Sequence, residues 1–262
     1  MSVVWITGAS SGIGEALAKR YTKQNAKLVL SARRESELQR VKQACIDKGA
    51  LSDNILVLPL DVTDHNAMDS AVQQVITAFG SIDVLINNAG ISQRSKCLDT
   101  ELDVYKKLLD VDVLGQIALT KAVLPIMVKQ GSGHIAVTSS VAGKIGVKWR
   151  TGYCAAKHAV MGFFDALRAE VTELGIQVST ITPGFIKTDV SKNAVTGDGS
   201  DFGYDDDDIK AGMDVDKCAD VIVNKMNQGV KEIAVGEGLP MIALKLKRFF
   251  PNLVFNIMAK KA

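Results

Sequence analysis

Tyr153 and Lys157 stand four residues apart in a stretch of helical periodicity, so a phenol and an ammonium share one helix face. A free phenol has a pKa of about 10 and keeps its proton at neutral pH. A cation beside it favours the phenolate, and an acid/base tuned toward the operating pH moves protons more effectively. Ser140, thirteen residues before Tyr153 and just past a strand-like run, adds a hydroxyl able to hold a reacting oxygen. Alone, a Tyr-x-x-x-Lys spacing describes many ordinary helix surfaces. Its weight comes from what surrounds it.

A second constellation lies near the N-terminus, where Thr7-Gly8-Ala9-Ser10-Ser11-Gly12-Ile13-Gly14 follows one strand-like run and leads into a helical one. Glycine suits a tight turn, a backbone that approaches a pyrophosphate, and close packing of helix on strand. The helix start then offers unpaired N–H groups and a positive dipole end to phosphate. Ser10 and Ser11 add hydroxyl donors. The spacing, Gly-x-x-x-Gly-x-Gly, is wider than the general dinucleotide fingerprint. The second strand-like run ends Ser31-Ala32-Arg33-Arg34. An acid at that place holds the ribose 2′-OH of NAD and would repel a 2′-phosphate. Two guanidinium groups can instead take phosphate in a fork, and cations at a helix start are unfavourable unless an anion joins them. The expected cofactor is NADP(H).

The elements that must position these groups alternate. Strands are expected over Val3–Thr7, Lys27–Ser31, 55–60, 83–86, 134–138, 177–181 and Glu232–Val235, and helices over 12–24, 35–48, 65–79, 101–129, 152–174 and 214–228. Runs apolar throughout, separated by helices, predict a parallel sheet covered on both faces. The fold class is α/β: a Rossmann-like doubly wound parallel sheet of about seven strands in a single domain, with ligands at the carboxyl ends of the strands. Residues 1–188 form the expected cofactor-binding and catalytic core. The irregular stretch after the sixth strand, 189–213, reads as a substrate lid. Its Asp205–Asp208 run reads as a solvated acidic face rather than a cation site.

In this order the motifs resemble the short-chain dehydrogenase/reductase family over about residues 3–188. The resemblance implies that Ser140, rather than Ser139, hydrogen-bonds the reacting oxygen, and that Lys157 also grips the nicotinamide ribose. It implies that Gly8, Ser10, Ser11, Gly12, Ile13 and Gly14 cradle the cofactor and that Ala32 falls where the family's NAD users carry Asp. It places Asp61-Val62 at the adenine, and Asn87, Asn88, Ala89 and Gly90 along the cleft. Pro183, Gly184, Ile186 and Thr188 would flank the nicotinamide and present its pro-S side. One departure stands out: Asp112 replaces the family's catalytic Asn, whose main-chain carbonyl holds a water that extends the proton relay to the lysine. Any residue supplies that carbonyl, but a carboxylate can also pair with Lys157 or draw in water. The implied activity is carbonyl–alcohol interconversion by hydride transfer on a hydrophobic small molecule, with Tyr153 as proton donor or acceptor. Asn87–Arg94 and the long lid point to the steroid/retinoid branch.

A 3-oxoacyl carrier-protein reductase shares these motifs, although the acidic lid argues against an acidic carrier. A non-catalytic NADP(H) sensor would be expected to lose the tyrosine or lysine, and this chain keeps both. The family's oligomers imply a homodimer or homotetramer built through 101–129 and 152–174.

The remaining features are mostly exclusions. The chain has 262 residues and a formal net charge of +2, without the concentrated basic patch of a nucleic-acid binder. Cys45, Cys97, Cys154 and Cys218 have neither CxxC nor metal-ligand spacing and read as free thiols in a reducing cytosol, so a cytoplasmic location is expected. His65, His134 and His158 form no metal spacing, and no metal is expected. Cys154 reads as a small apolar residue, and Gln93 and Arg94 as substrate-mouth or surface-turn residues. Met1–Thr7 runs straight into a strand, so no cleavable signal is expected, and without a run of roughly 18 uninterrupted apolar residues no spanning helix is expected. The stretch 239–262 mixes apolar residues with Lys245, Lys247, Arg248, Lys260 and Lys261. It reads as packed against the body or a partner subunit, with contact to a membrane surface as the alternative.

Overall fold

Strands apolar on both faces need helices on both sides, and the computed structural model, which describes residues 1–204 and 206–260, has that arrangement. Asp205 and Lys261 lie outside the described residues. The strands are β1 (Val3–Thr7), β2 (Lys27–Ser31), β3 (Ile55–Val57), β4 (Val84–Asn87), β5 (Gly133–Thr138), β6 (Ile176–Pro183) and β7 (Glu232–Val235). They form one seven-stranded sheet in the order β3-β2-β1-β4-β5-β6-β7, parallel throughout. The strand order reverses between β1 and β4, which opens a crevice at their carboxyl ends.

Period-two alternation sorts the side chains into two cores. Val4, Ile6, Leu28, Leu30 and Ile86 face α1 (Gly12–Thr22), α2 (Glu35–Ile46) and α8 (Val215–Asn227). Trp5, Val29, Leu85, Ile135 and Val137 face α3 (Met68–Phe79), α5 (Gly115–Gln130) and α6 (Thr151–Val171). On α6 the row Ala156, Val160, Phe164, Leu167 and Val171 recurs at three and four residues, which holds that helix down on the sheet.

Three expectations change. The helix expected over 101–129 is α4 (Leu102–Leu109), a widened π turn at Asp110–Leu114, and α5. The run Leu102–Gln130 is long and apolar enough to cross a membrane by length and composition, but its buried Leu119, Val123 and Met127 pack in the second core as a core helix does. The lid is not wholly irregular, because it carries the short α7 (Asp207–Lys210) and a Val195–Asp201 bridge. The C-terminal stretch forms α9 (Leu239–Phe249) and α10 (Pro251–Lys260), of which only Val254 is buried among the described residues. The body of this chain leaves much of the segment's surface exposed.

His134, on β5, bonds through Nε2 to Ser179 Oγ at 2.9 Å, and burial pushes its pKa down to about 4. The unfolded chain takes up a proton near pH 6.5 that the folded chain refuses, so this contribution is full above pH 6.5 and lost as pH falls toward 4. About 3 kcal/mol is at stake. The stability difference between wild type and His134→Asn, followed by urea unfolding, should shrink across that window. A constant difference would show that His134 does not titrate there.

Candidate active site

Lys157 is drawn inward by its own helix. It falls in register with Val160 and Phe164 on the face of α6 that packs on the sheet, and its side chain is only 4% exposed. The ammonium donates to Thr138 O at 3.1 Å, at the carboxyl end of β5, and lies 5.6 Å from the Tyr153 ring centroid. The π turn presents Asp112 to it, with Nζ to Oδ2 at 3.3 Å, an ion pair without aligned hydrogen-bond geometry. Ile91 N–H donates to the other oxygen at 2.7 Å. Burial alone would lower the Lys157 pKa; the carboxylate and Tyr153 outweigh it and hold the pKa above its usual value. Burial pushes the Asp112 carboxyl up, opposed by Lys157 and the Ile91 amide. Of the two outcomes left open for this departure from the family pattern, the carboxylate pairs with the lysine.

A cleft of about 690 Å³ runs along the crevice, and beside it lies a mostly apolar cavity of about 440 Å³. Ser140, Tyr153, Pro183 and Gly184 are walls of both. Gly8, Ser10, Ser11, Gly12, Ile13, Arg33, Arg34, Asp61, Val62, Asn88, Ala89, Gly90, Lys157, Ile186 and Thr188 also line the cleft. Three candidate residues stand behind its walls. Asn87, expected along the cleft, is buried, and its Nδ2 donates to Thr120 Oγ1 at 2.9 Å. Asp112 is fully buried. Gly14 packs the helix on the turn, where a Cβ would run into the Gly8 carbonyl oxygen. Gly90 also has a steric reason: an added Cβ would lie 3.1 Å from both Asp112 Oδ1 and Lys157 Nζ. Ser139 and Ser140 take different partners. Ser139 Oγ donates to Lys157 O at 3.1 Å and the residue borders the long cleft only, whereas Ser140 Oγ accepts from Ala142 N and the residue borders both cavities.

The strand ends around the cleft are tied together. Thr7 Oγ1 accepts from Asn88 N and Ala89 N, each at 3.0 Å, and Asn88 Nδ2 donates to Thr7 O at 3.1 Å. Thr138 Oγ1 donates to Asn88 Oδ1 at 3.1 Å. Burial pushes the Asp61 carboxyl up, but the Thr63 amide and hydroxyl, with the Arg33 charge, hold it below the usual range.

Sequence reasoning missed three residues. Gln93 is neither surface turn nor cavity wall. It is fully buried, and its Oε1 accepts from Gly152 N at 2.7 Å and Tyr153 N at 3.2 Å, capping the helix that carries Tyr153. Arg40 clamps the glycine turn, donating to Ser10 O at 3.1 Å and pairing with Glu15 at 2.7 Å. Asp206 is not solvated: its side chain is 10% exposed, and both Arg94 and Arg150 reach its Oδ2 at 3.0 Å. The lid is thus fastened beside Tyr153, with Arg94 stacked 4.7 Å from the Trp149 ring centroid as part of the cavity wall. No composition signal marks these roles, since each needs a partner distant in sequence. Cys154 is buried as a small apolar residue, and among the described residues no acid, histidine and cysteine cluster could hold a metal.

The family model described as short chain dehydrogenase matches residues 2–199. A Homo sapiens protein, dehydrogenase/reductase SDR family member 7, is 43% identical over 99% of this chain and 78% of its own length. A Drosophila melanogaster protein, SDR family protein 7-like, is 44% identical over 99% of this chain and 80% of its own length. A short-chain dehydrogenase/reductase from Burkholderia phymatum, solved with NAD, shares the fold. Its TM-score is 0.83 at 22% identity, covering 96% of this chain and 94% of that one.

Gln93→Leu strips the cap from two amides at the start of α6, which costs about 1–3 kcal/mol when buried groups lose their partner. Urea unfolding should show that loss. An unchanged midpoint would mean that other acceptors replace Gln93.

Proposed function

The chain belongs to the short-chain dehydrogenase/reductase family, and from that membership we propose that it interconverts a carbonyl and an alcohol on a hydrophobic small molecule with NADP(H). The observation that carries this reading is a shared wall: Ser140 and Tyr153 face both the long cleft and the apolar cavity, with Lys157 behind them.

The residues of the cleft fit a dinucleotide. The start of α1 offers amides to phosphate, and Ser11 does not spend its hydroxyl capping that helix. At the far end Arg33 and Arg34 are exposed on the cleft wall beside Ala32, which supports a 2′-phosphate there. The bound nicotinamide supplies or accepts the hydride. In reduction, Tyr153 donates its phenolic proton to the carbonyl oxygen while the Ser140 hydroxyl bonds the same oxygen and orients it. Lys157 faces the charge left on the phenol from a position set by Thr138 and Asp112. Val147, Phe185, Phe202 and Leu239 line the cavity and favour an apolar substrate. A homodimer or homotetramer through α5 and α6 is part of the proposal, supported by the exposed row Ala155, Ala159, Gly162 and Ala166 on α6. So is a cytoplasmic location, supported by four unpaired cysteines.

Tyr153→Phe should lower kcat by about 10²–10⁴-fold across a carbonyl panel, while NADPH still binds in a fluorescence titration. Full turnover in that variant would overturn the assignment, and a preference for NADH would overturn the cofactor. Asp112→Asn keeps the shape but removes the carboxylate that raises the Lys157 pKa, so Lys157 loses its proton at lower pH. The alkaline limb of the kcat–pH profile should move down. A limb that stays in place would remove Asp112 from the proton chemistry.

A further inference from the structure

We propose that α9 and α10 form a docking surface for an anionic membrane. Leu239, Ile242 and Phe249 on α9, Phe250 at the corner, and Leu253 and Ile257 on α10 are each 48–73% exposed. Such side chains are what a core would cover, and here almost nothing of the chain covers them. Large apolar side chains left exposed together on two successive helices point to an interaction site.

Charge identifies the occupant. From Leu239 to the last residue there are five lysines and arginines and no aspartate or glutamate. A second copy of the chain meeting this patch across a two-fold axis would set basic residues against themselves with no acid to offset them. Anionic lipid headgroups supply the missing charge, and their acyl chains accept the aromatic and aliphatic side chains. Lys245 and Arg248 are exposed on α9 among these apolar residues.

The pair of helices is also fastened as a platform. Lys247 donates to Lys144 O at 2.6 Å, and its ammonium lies 5.5 Å from the Phe255 ring centroid, which joins α10 to α9 and both to the body. Pro240, Ala243 and Met258, on the inner side of the same helices, wall the apolar cavity. Docking therefore brings that cavity next to lipid.

The full chain should co-sediment with vesicles of phosphatidylcholine and phosphatidylserine, bind pure phosphatidylcholine more weakly, and release as salt is raised. Lys245→Gln with Arg248→Gln removes two exposed charges and should weaken binding roughly 25-fold, taking about fivefold per cation at the membrane surface. Phe249→Ser, Leu253→Ser and Ile257→Ser together should abolish binding, with turnover on a water-soluble carbonyl retained. Should that triple variant fail to fold, the glutamine pair and the salt titration carry the test. Wild type that stays in the supernatant, or a glutamine pair that binds like wild type, overturns the proposal. So does a wild-type dimer that the triple substitution converts to monomer without lipid, which would assign the face to a second copy.

Discussion

An ammonium taken out of water must be compensated, and Lys157 draws its compensation from three separate pieces of chain. Thr138 contributes a carbonyl from β5, Asp112 a carboxylate from the π turn, and Tyr153 the face of its ring from one turn back on α6. Desolvating such an ion costs several kcal/mol, and removing one buried partner leaves the other uncompensated. The end of β5, the widened turn and the start of α6 are therefore held in fixed relation. The chain passing between them is tight, because a Cβ at residue 90 would crowd Asp112 Oδ1 and Lys157 Nζ at 3.1 Å and press on the pair.

Thr138 carries this constraint across the sheet edge. Its carbonyl serves Lys157 while its hydroxyl serves Asn88, and Asn88 reaches the carbonyl of Thr7 at the end of β1. The glycine turn begins there, and Arg40 grips the same turn from α2 through Ser10 O. The cleft's glycine turn and its lysine thus belong to one hydrogen-bonded frame across β1, β4 and β5, three adjacent strands at the point where strand order reverses. The lid joins this frame by charge. Asp206 bridges Arg94, beyond β4, and Arg150, at the start of α6, so the lid's position is coupled to the helix that carries Tyr153.

Much of this architecture was legible in the residues. β1, β2 and β7 have the bounds expected from the sequence, because the apolar runs at their centres mark strands of a covered parallel sheet. The phenol and ammonium had to share a face once their segment was helical. The π turn was not legible, since one extra residue in a helical turn changes neither composition nor gross periodicity. The exposed state of α9 and α10 was not legible either: apolar residues mixed with basic ones read alike whether a body, a partner or a membrane covers them.

Local periodicity is a short-range property, so the sequence by itself determined the kinds of elements, their order, and which reactive groups stand on a common helix face. Tertiary structure alone decided which charges and amides meet. Gln93 caps an amide 59 residues away, Arg40 pairs with a glutamate 25 residues away, and Arg94 pairs with an aspartate 112 residues away. A polar loop residue carries no periodic signal. Its role follows from the partner that sheet topology brings to it, and from how far burial has removed both from water.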